Sequence, residues 1–213
     1  MCNLYRLHSG PQAILELSRA MFNRAGNLEP GSIYPDYPAP IVRKARDGTR
    51  ELTRARWGMP SPQFAVAGKS YDRGETNVRN TSSPHWRRWL GPDSRCVVPA
   101  TAFAEPAPQR DESGKIPNVW FAINEAQPLF FFAGIQCRWT GKRKAKEEAS
   151  EHDLFAFLTT EPNAVVAPIH KKAMPVILTE ADEVETWLIA SWDEAMALQR
   201  PLGNDCLVVL PSA

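Results

Sequence analysis

The sequence predicts one α+β domain, β-rich, with a mostly antiparallel sheet or barrel flanked by helices. Three observations point there. The chain has 213 residues, a length that suits one fairly large domain with its own core. Its middle carries short aromatic and branched runs parted by turn-forming or charged segments, the punctuation of strands. Helical spacing of apolar residues stands out near the two ends.

From the N-terminus, "PQAILELSRAMF" places Ile14, Leu17 and Met21 three or four apart, the single apolar stripe of an amphipathic helix. The stretch "EPGSIYPDYPAPIV" and the later "EPAPQ" hold six of the chain's 19 prolines. Both read as loops or strand edges, because proline lacks a backbone donor. Strands are expected at "RCVVP", "NVWFAI", "LFFFAGI", "DLFAFLT" and "MPVIL". The charge run "TGKRKAKEEASEH" reads as a solvated hairpin loop, with a DNA-facing basic tip as the alternative. Last, "LTEADEVETWLIASWDEAMALQRP" reads as a second helix, capped by Thr179, acidic in its first turn and followed by Pro201. Its Val184, Trp187, Leu188 and Trp192 are assigned to the core. No repeat or low-complexity linker interrupts the pattern, so residues 1–213 are read as one domain.

Bulk properties exclude several classes. No stretch approaches the roughly 20 apolar residues of a membrane span. The opening residues lack the basic region and apolar run of a secretory signal, so a cytoplasmic protein is expected, nucleoid-associated when on DNA. Cys2, Cys96, Cys137 and Cys206 form no C-x-x-C pair, which argues against a zinc site or a disulfide framework. Cys96 and Cys137 sit in apolar runs and are assigned to the core; no metal or cofactor is predicted. Net charge is +1, so a polyanion has to be met by a local basic patch.

The start "MCNLYRL" places a cysteine directly after the initiator methionine. Trimming of Met1 leaves Cys2 with a free α-amine and a thiol on adjacent carbons. Such an aminothiol condenses with an aldehyde to an imine and then closes as a five-membered thiazolidine. An α-amine titrates near roughly 7.7–8.0, against about 10.4 for lysine, so it is far more often neutral at pH 7. The plain alternative is an ordinary cysteine that happens to stand second.

Other polar residues stand where local pattern does not ask for them. Glu105 follows the strand-like "RCVVPATAFA" directly before Pro106, and reads as an exposed loop carboxylate, with a functional acid as the alternative. His170, followed by Lys171 and Lys172, lies in a loop between apolar strands, where a histidine is structural or catalytic. In "GETNVRNTSSPHWRRWL", Asn77 and Arg79 precede Trp86, Arg87, Arg88 and Trp89. Arginines interleaved with indoles match a single-strand binder, and match an amphipathic turn nearly as well.

Taken together, "MCNLYRL", "RWGMP", "TNVRN", "RCVVPATAFAEP", "FFFAGI" and "FLTTEPNAVVAPIHKKAMPVIL" resemble, in order and approximate spacing, the SRAP (SOS response-associated peptidase) family of abasic-site processing proteins. The resemblance covers nearly the whole chain. It implies a monomer that traps abasic sites in single-stranded DNA as a covalent thiazolidine, with AP-lyase chemistry as the side reaction. It implies Cys2 as nucleophile, Asn77 orienting the sugar, Glu105 and His170 moving protons, and Arg79 on phosphate. Trp86, Arg87, Arg88, Lys171 and Lys172 complete the expected DNA contacts. Departures are Asn3 where glycine is common, Asn80 where many members carry glutamate, and Pro106 in place of the usual tryptophan. The "KKAMP" stretch leaves open which lysine replaces the expected arginine. A cysteine peptidase using Cys2, His170 and Glu105, and a non-enzymatic single-strand binder, remain the alternatives.

Overall fold

The computed structural model describes residues 2–211. In chain order the strands are β1 (Tyr5–Leu7), β2 (Phe22–Asn23), β3 (Gly31–Ile33), β4 (Pro38–Lys44), β5 (Arg50–Trp57), β6 (Asn77–Val78), β7 (Arg95–Ala100), β8 (Ala102–Pro106), β9 (Asn118–Ala122), β10 (Phe130–Gly141), β11 (Ser150–Thr160), β12 (Met174–Pro175), β13 (Ile177–Leu178) and β14 (Val208–Val209). The helices are α1 (Pro11–Ser18), α2 (Gln63–Val66), α3 (Pro84–Arg87), α4 (Ala181–Ile189) and α5 (Trp192–Ala195). The expected single β-rich α+β domain is what forms.

At its centre β5, β4, β7, β10 and β11 join in that order as antiparallel neighbours. β11 then returns to β5 in parallel, through Leu154 with Arg56 and Phe155 with Trp57, and closes a five-stranded barrel. Which side chains point inward follows from one contact: Arg43 on β4 reaches Asp153 on β11 at 3.1 Å, and these strands are not neighbours in the ring. Residues in phase with them therefore fill the interior, among them Ile41, Trp57, Val98, Phe132, Phe155 and Phe157. The opposite phase, including Val97, Ile135, Leu154 and Ala156, packs outside against Ile14 of α1 and Val184, Trp187 and Leu188 of α4. Strands buried on both faces explain why the sequence shows continuous apolar runs rather than alternation.

A second sheet, in the order β14, β9, β8, β1, β3, covers one mouth of the barrel. Its Tyr5 meets Trp57, Phe132 and Phe157 edge-on, with centroids 5.2, 5.6 and 6.2 Å away. At the far mouth, Arg24 and Arg43 bind Glu51 at 2.8 and 3.0 Å, and Arg138 binds Asp153 at 3.1 Å. Apolar packing closes the end that carries Cys2 and β1, and ion pairs close the other.

Several expectations are corrected. α1 stops at Ser18, because Arg19 turns left-handed at φ 53° and the Met21 N–H donates to the Arg50 carbonyl at 2.9 Å. Met21 is thus drawn toward β5 and left exposed, not placed on a helical stripe. The predicted C-terminal helix is two: Glu180, not Thr179, caps α4, and Ser191 caps α5 in a box with Glu194. The proline-rich stretch supplies β3 and β4, the latter a barrel strand. Pro38 and Pro40 lie where β4 pairs with β5 but not with β7, so their missing donors cost no ladder bond there. In the charge run between β10 and β11, Arg143 is buried and donates to the Arg73 carbonyl at 2.7 Å. "MPVIL" divides into β12 and β13 around Val176, which bonds Leu158 of β11 and Ala133 of β10 and so wedges between those strands. Among the described residues, no helix is long and apolar enough to cross a membrane.

Candidate active site

The segment before β1 lies against β8, because the Ala104 N–H donates to the Leu4 carbonyl at 2.9 Å. This brings Cys2 beside Glu105. Cys2 is 1% exposed and belongs to the inner core cluster, with its Sγ 3.4 Å from the Leu4 carbonyl. Burial, and next the nearby Glu105 carboxyl, push its thiol up to about 12.

Asn77 arrives from the other side on β6, which is set by parallel pairing with Phe157 and Leu158 of β11. Its Nδ2 donates to the Cys2 carbonyl at 2.9 Å and to the Thr76 hydroxyl at 2.8 Å. Thr76 in turn donates to Asn3 at 3.0 Å, so the asparagine that departs from the family's glycine has a defined partner. The Asn77 Oδ1 is buried and accepts no hydrogen bond among the described residues, which leaves one acceptor next to Cys2 for a ligand hydroxyl.

Glu105 is fully buried, and that burial raises its carboxyl above the usual carboxylate range, opposed by the charge of nearby His170. His170 stands in the loop between β11 and β12. Its Nδ1 lies 2.8 Å from the Ala173 carbonyl oxygen and 3.3 Å from the Ala173 N–H, so the loop's own backbone fixes the ring's orientation. Cys2, Asn77, Glu105 and His170 are thus drawn together by β1, β6, β8 and the β11–β12 loop.

The expected DNA contacts divide. Arg79, at the end of β6, donates to the Lys172 carbonyl at 3.4 Å and pairs with Glu161 at 3.6 Å. Lys171 and Lys172 are exposed in the same loop as His170. Trp86, expected to stack on bases, is 8% exposed instead. It sits in the outer core cluster with His85 and Trp89 at 4.4 and 5.9 Å, so its ring packs the fold. Arg87 and Arg88 are exposed, and Arg88 lies over the Trp89 ring at 4.8 Å. Sequence reasoning missed Thr76, although it stands inside the quoted "TNVRN" element.

The model of a family described as SOS response associated peptidase (SRAP) matches residues 1–211. Among solved structures, a protein from Bordetella bronchiseptica is similar over 98% of each chain, with 22% identity and a TM-score of 0.74. A protein from Bacteroides thetaiotaomicron is similar at 22% identity and a TM-score of 0.67, over 98% of this chain and 90% of its own. A phage-related protein from Bordetella bronchiseptica has 19% identity and a TM-score of 0.72, over 99% of this chain and 94% of its own. No match was found among curated protein sequences. At these identities the structural likenesses speak for the fold, and the family match, which spans nearly the whole chain, speaks for descent. The chain belongs to the SOS response associated peptidase (SRAP) family.

Proposed function

We propose that this protein captures abasic sites in single-stranded DNA by forming a thiazolidine between Cys2 and the open-chain sugar aldehyde. Family membership ties the chain to the SOS response and to work on DNA. The observation that carries the finer reading is the hold on Cys2: its carbonyl is fixed by Asn77 at 2.9 Å beside a buried acid, at the mouth of a rigid barrel. Met1 lies outside the described residues, and its removal is part of the proposal.

The chemistry runs in balanced steps. An abasic sugar is mostly a closed hemiacetal, so His170 and Glu105 assist proton transfer as the ring opens. The Cys2 amine adds to the aldehyde carbon, and the carbinolamine loses water to give an imine. The thiol then adds to the imine carbon, its proton passing to the nitrogen, and the five-membered ring closes. Asn77 Oδ1 accepts from a sugar hydroxyl and holds the carbon in reach. If the imine forms and the thiol does not close, β-elimination cuts the strand, so AP-lyase chemistry is the expected side reaction. Single-stranded DNA suits this site because the lesion is already unpaired. Arg79, Lys171 and Lys172 meet flanking phosphates, with Arg87 and Arg88 available at the C-terminal end of α3.

The peptidase reading asks the same thiol to attack an amide as a thiolate. With its titration pushed up to about 12, the thiol stays protonated at neutral pH. An imine-first route begins with the amine and needs the thiol only at ring closure.

Intact mass after incubation with an abasic oligonucleotide tests the reading. The expected product is protein lacking Met1 plus oligonucleotide less one water, absent with a reduced sugar that has no aldehyde. Cys2→Ala should give no heat-stable adduct without reductant. A stable adduct from that variant would refute the thiol's role.

A further inference from the structure

β6 and β11 pair at Asn77 with Phe157 and at Val78 with Leu158. The next pair in that register is Arg79 with Thr159, and there a side chain continues the ladder. The Gln199 Nε2 donates to the Arg79 carbonyl at 2.9 Å and to the Thr159 carbonyl at 3.0 Å. Its Oε1 accepts from the Thr81 hydroxyl at 3.0 Å. The Gln199 N–H donates to the Met196 carbonyl at 3.0 Å, and the adjoining Arg200 pairs with Glu183 of α4. The carboxamide is therefore fully engaged, and the residue that carries it is fastened to the C-terminal helices. A primary amide offers two donors and an acceptor on one planar group, which is what bridging two carbonyls and receiving a hydroxyl requires.

We propose that Gln199 is a positioning residue for DNA capture. It fixes the backbone from which Arg79 projects, so that the guanidinium stands by the Lys172 carbonyl, in reach of a phosphate beside the lesion. Without it the β6–β11 ladder ends at Val78, and the Arg79 backbone loses its bond to the barrel. The inference rests on the DNA-facing role given to Arg79 above.

A double-mutant cycle on cross-linking to an abasic oligonucleotide tests it, read as the DNA concentration at half-saturation. Gln199→Ala should raise that concentration about five- to tenfold, the scale of one charge-assisted contact, with the loss falling on half-saturation rather than on the plateau rate. In an Arg79→Ala background the same change should have less than about a twofold effect, because the group it positions is gone. Gln199→Glu keeps the shape but turns an acceptor toward two carbonyls, and should reproduce the loss if the alanine variant folds poorly; thermal unfolding reports which variants fold. Equal fold-losses in both backgrounds, or wild-type half-saturation for both Gln199 variants, overturn the proposal. Wild-type half-saturation and salt slope for Arg79→Ala alone overturn the reading of Arg79 beneath it.

Discussion

The side-chain amide of Asn77 donates to the backbone carbonyl of Cys2 at 2.9 Å, across 75 residues of chain. This bond converts the β6–β11 register into a position for Cys2, since Asn77 has its own place on the ladder opposite Phe157. Asn77→Ala removes the donor and also the free Oδ1 acceptor. Single-turnover cross-linking at saturating DNA should slow by about 10- to 100-fold, the scale of a misplaced reacting group. DNA affinity should change much less. A variant that reacts at the wild-type rate would leave Asn77 with no part in orienting Cys2.

How far the sequence shows these features depends on the length scale involved. β7, β10 and β11 are readable because barrel strands buried on both faces are largely apolar, and β9, in the covering sheet, through its aromatic and branched "VWF" run. β5 was not, because "RELTRARW" points Arg54 and Arg56 outward and its apolar residues are scattered. The break between α4 and α5 has a local signal, the capping box of Ser191 with Glu194 in "SWDE", which the long apolar periodicity masked. The end of α1 has none, since pairing of Met21 with Arg50 overrides the helical spacing. Cys2, Asn77, Glu105 and His170 stood out through family resemblance, each being ambiguous in its own neighbourhood. Gln199 carries no local mark, because its work exists only once β6 and β11 lie side by side.

Arg79 pairs with Glu161 at 3.6 Å, with both side chains substantially exposed. If Arg79 meets a phosphate as proposed, this carboxylate competes for the guanidinium and repels the approaching phosphate. Glu161→Gln should tighten binding of a single-stranded oligonucleotide about two- to fivefold at low salt, in keeping with the small worth of an exposed pair. The gain should fade as ionic strength rises and screening takes over. Fluorescence anisotropy at two salt concentrations checks it, and unchanged low-salt affinity would mean that Glu161 does not gate Arg79.

Gly74 adopts φ +79°, and a Cβ there would run into the buried guanidinium of Arg143. Arg143 holds this loop by donating to the Arg73 carbonyl at 2.7 Å, just upstream of Thr76 and Asn77. Gly74→Ala should cost roughly 2–4 kcal/mol, combining backbone strain with overpacking. Gly68 has a similar φ of +75° but open space around it, so Gly68→Ala isolates the backbone part and should cost about 1 kcal/mol. Denaturant melts of the two variants give the contribution of the Arg143 contact by difference. Equal losses would show that the guanidinium moves aside freely.

Glu105 carries two consequences of burial that can be separated by pH. Its carboxyl is raised by desolvation, with nearby His170 pulling the other way. For an acid raised in the folded state, that state binds more protons than the unfolded chain between the two titration points. Stability therefore falls as pH climbs from the unfolded value, about 4.3, through the higher folded one. Glu105→Gln cannot ionise and escapes this loss. Its melting temperature should exceed the wild-type value at neutral pH, and the difference should shrink as pH approaches 4. On the proposed mechanism the same substitution also removes a proton-transfer group for opening the sugar, and loss of such a group typically costs about 10²–10⁴ in rate. A variant at once more stable and slower at neutral pH is the behaviour of a residue held in a strained ionisation state for chemistry. If Glu105→Gln instead melts lower than wild type at neutral pH and cross-links at full speed, the buried carboxyl is a structural partner and the proton-transfer assignment fails.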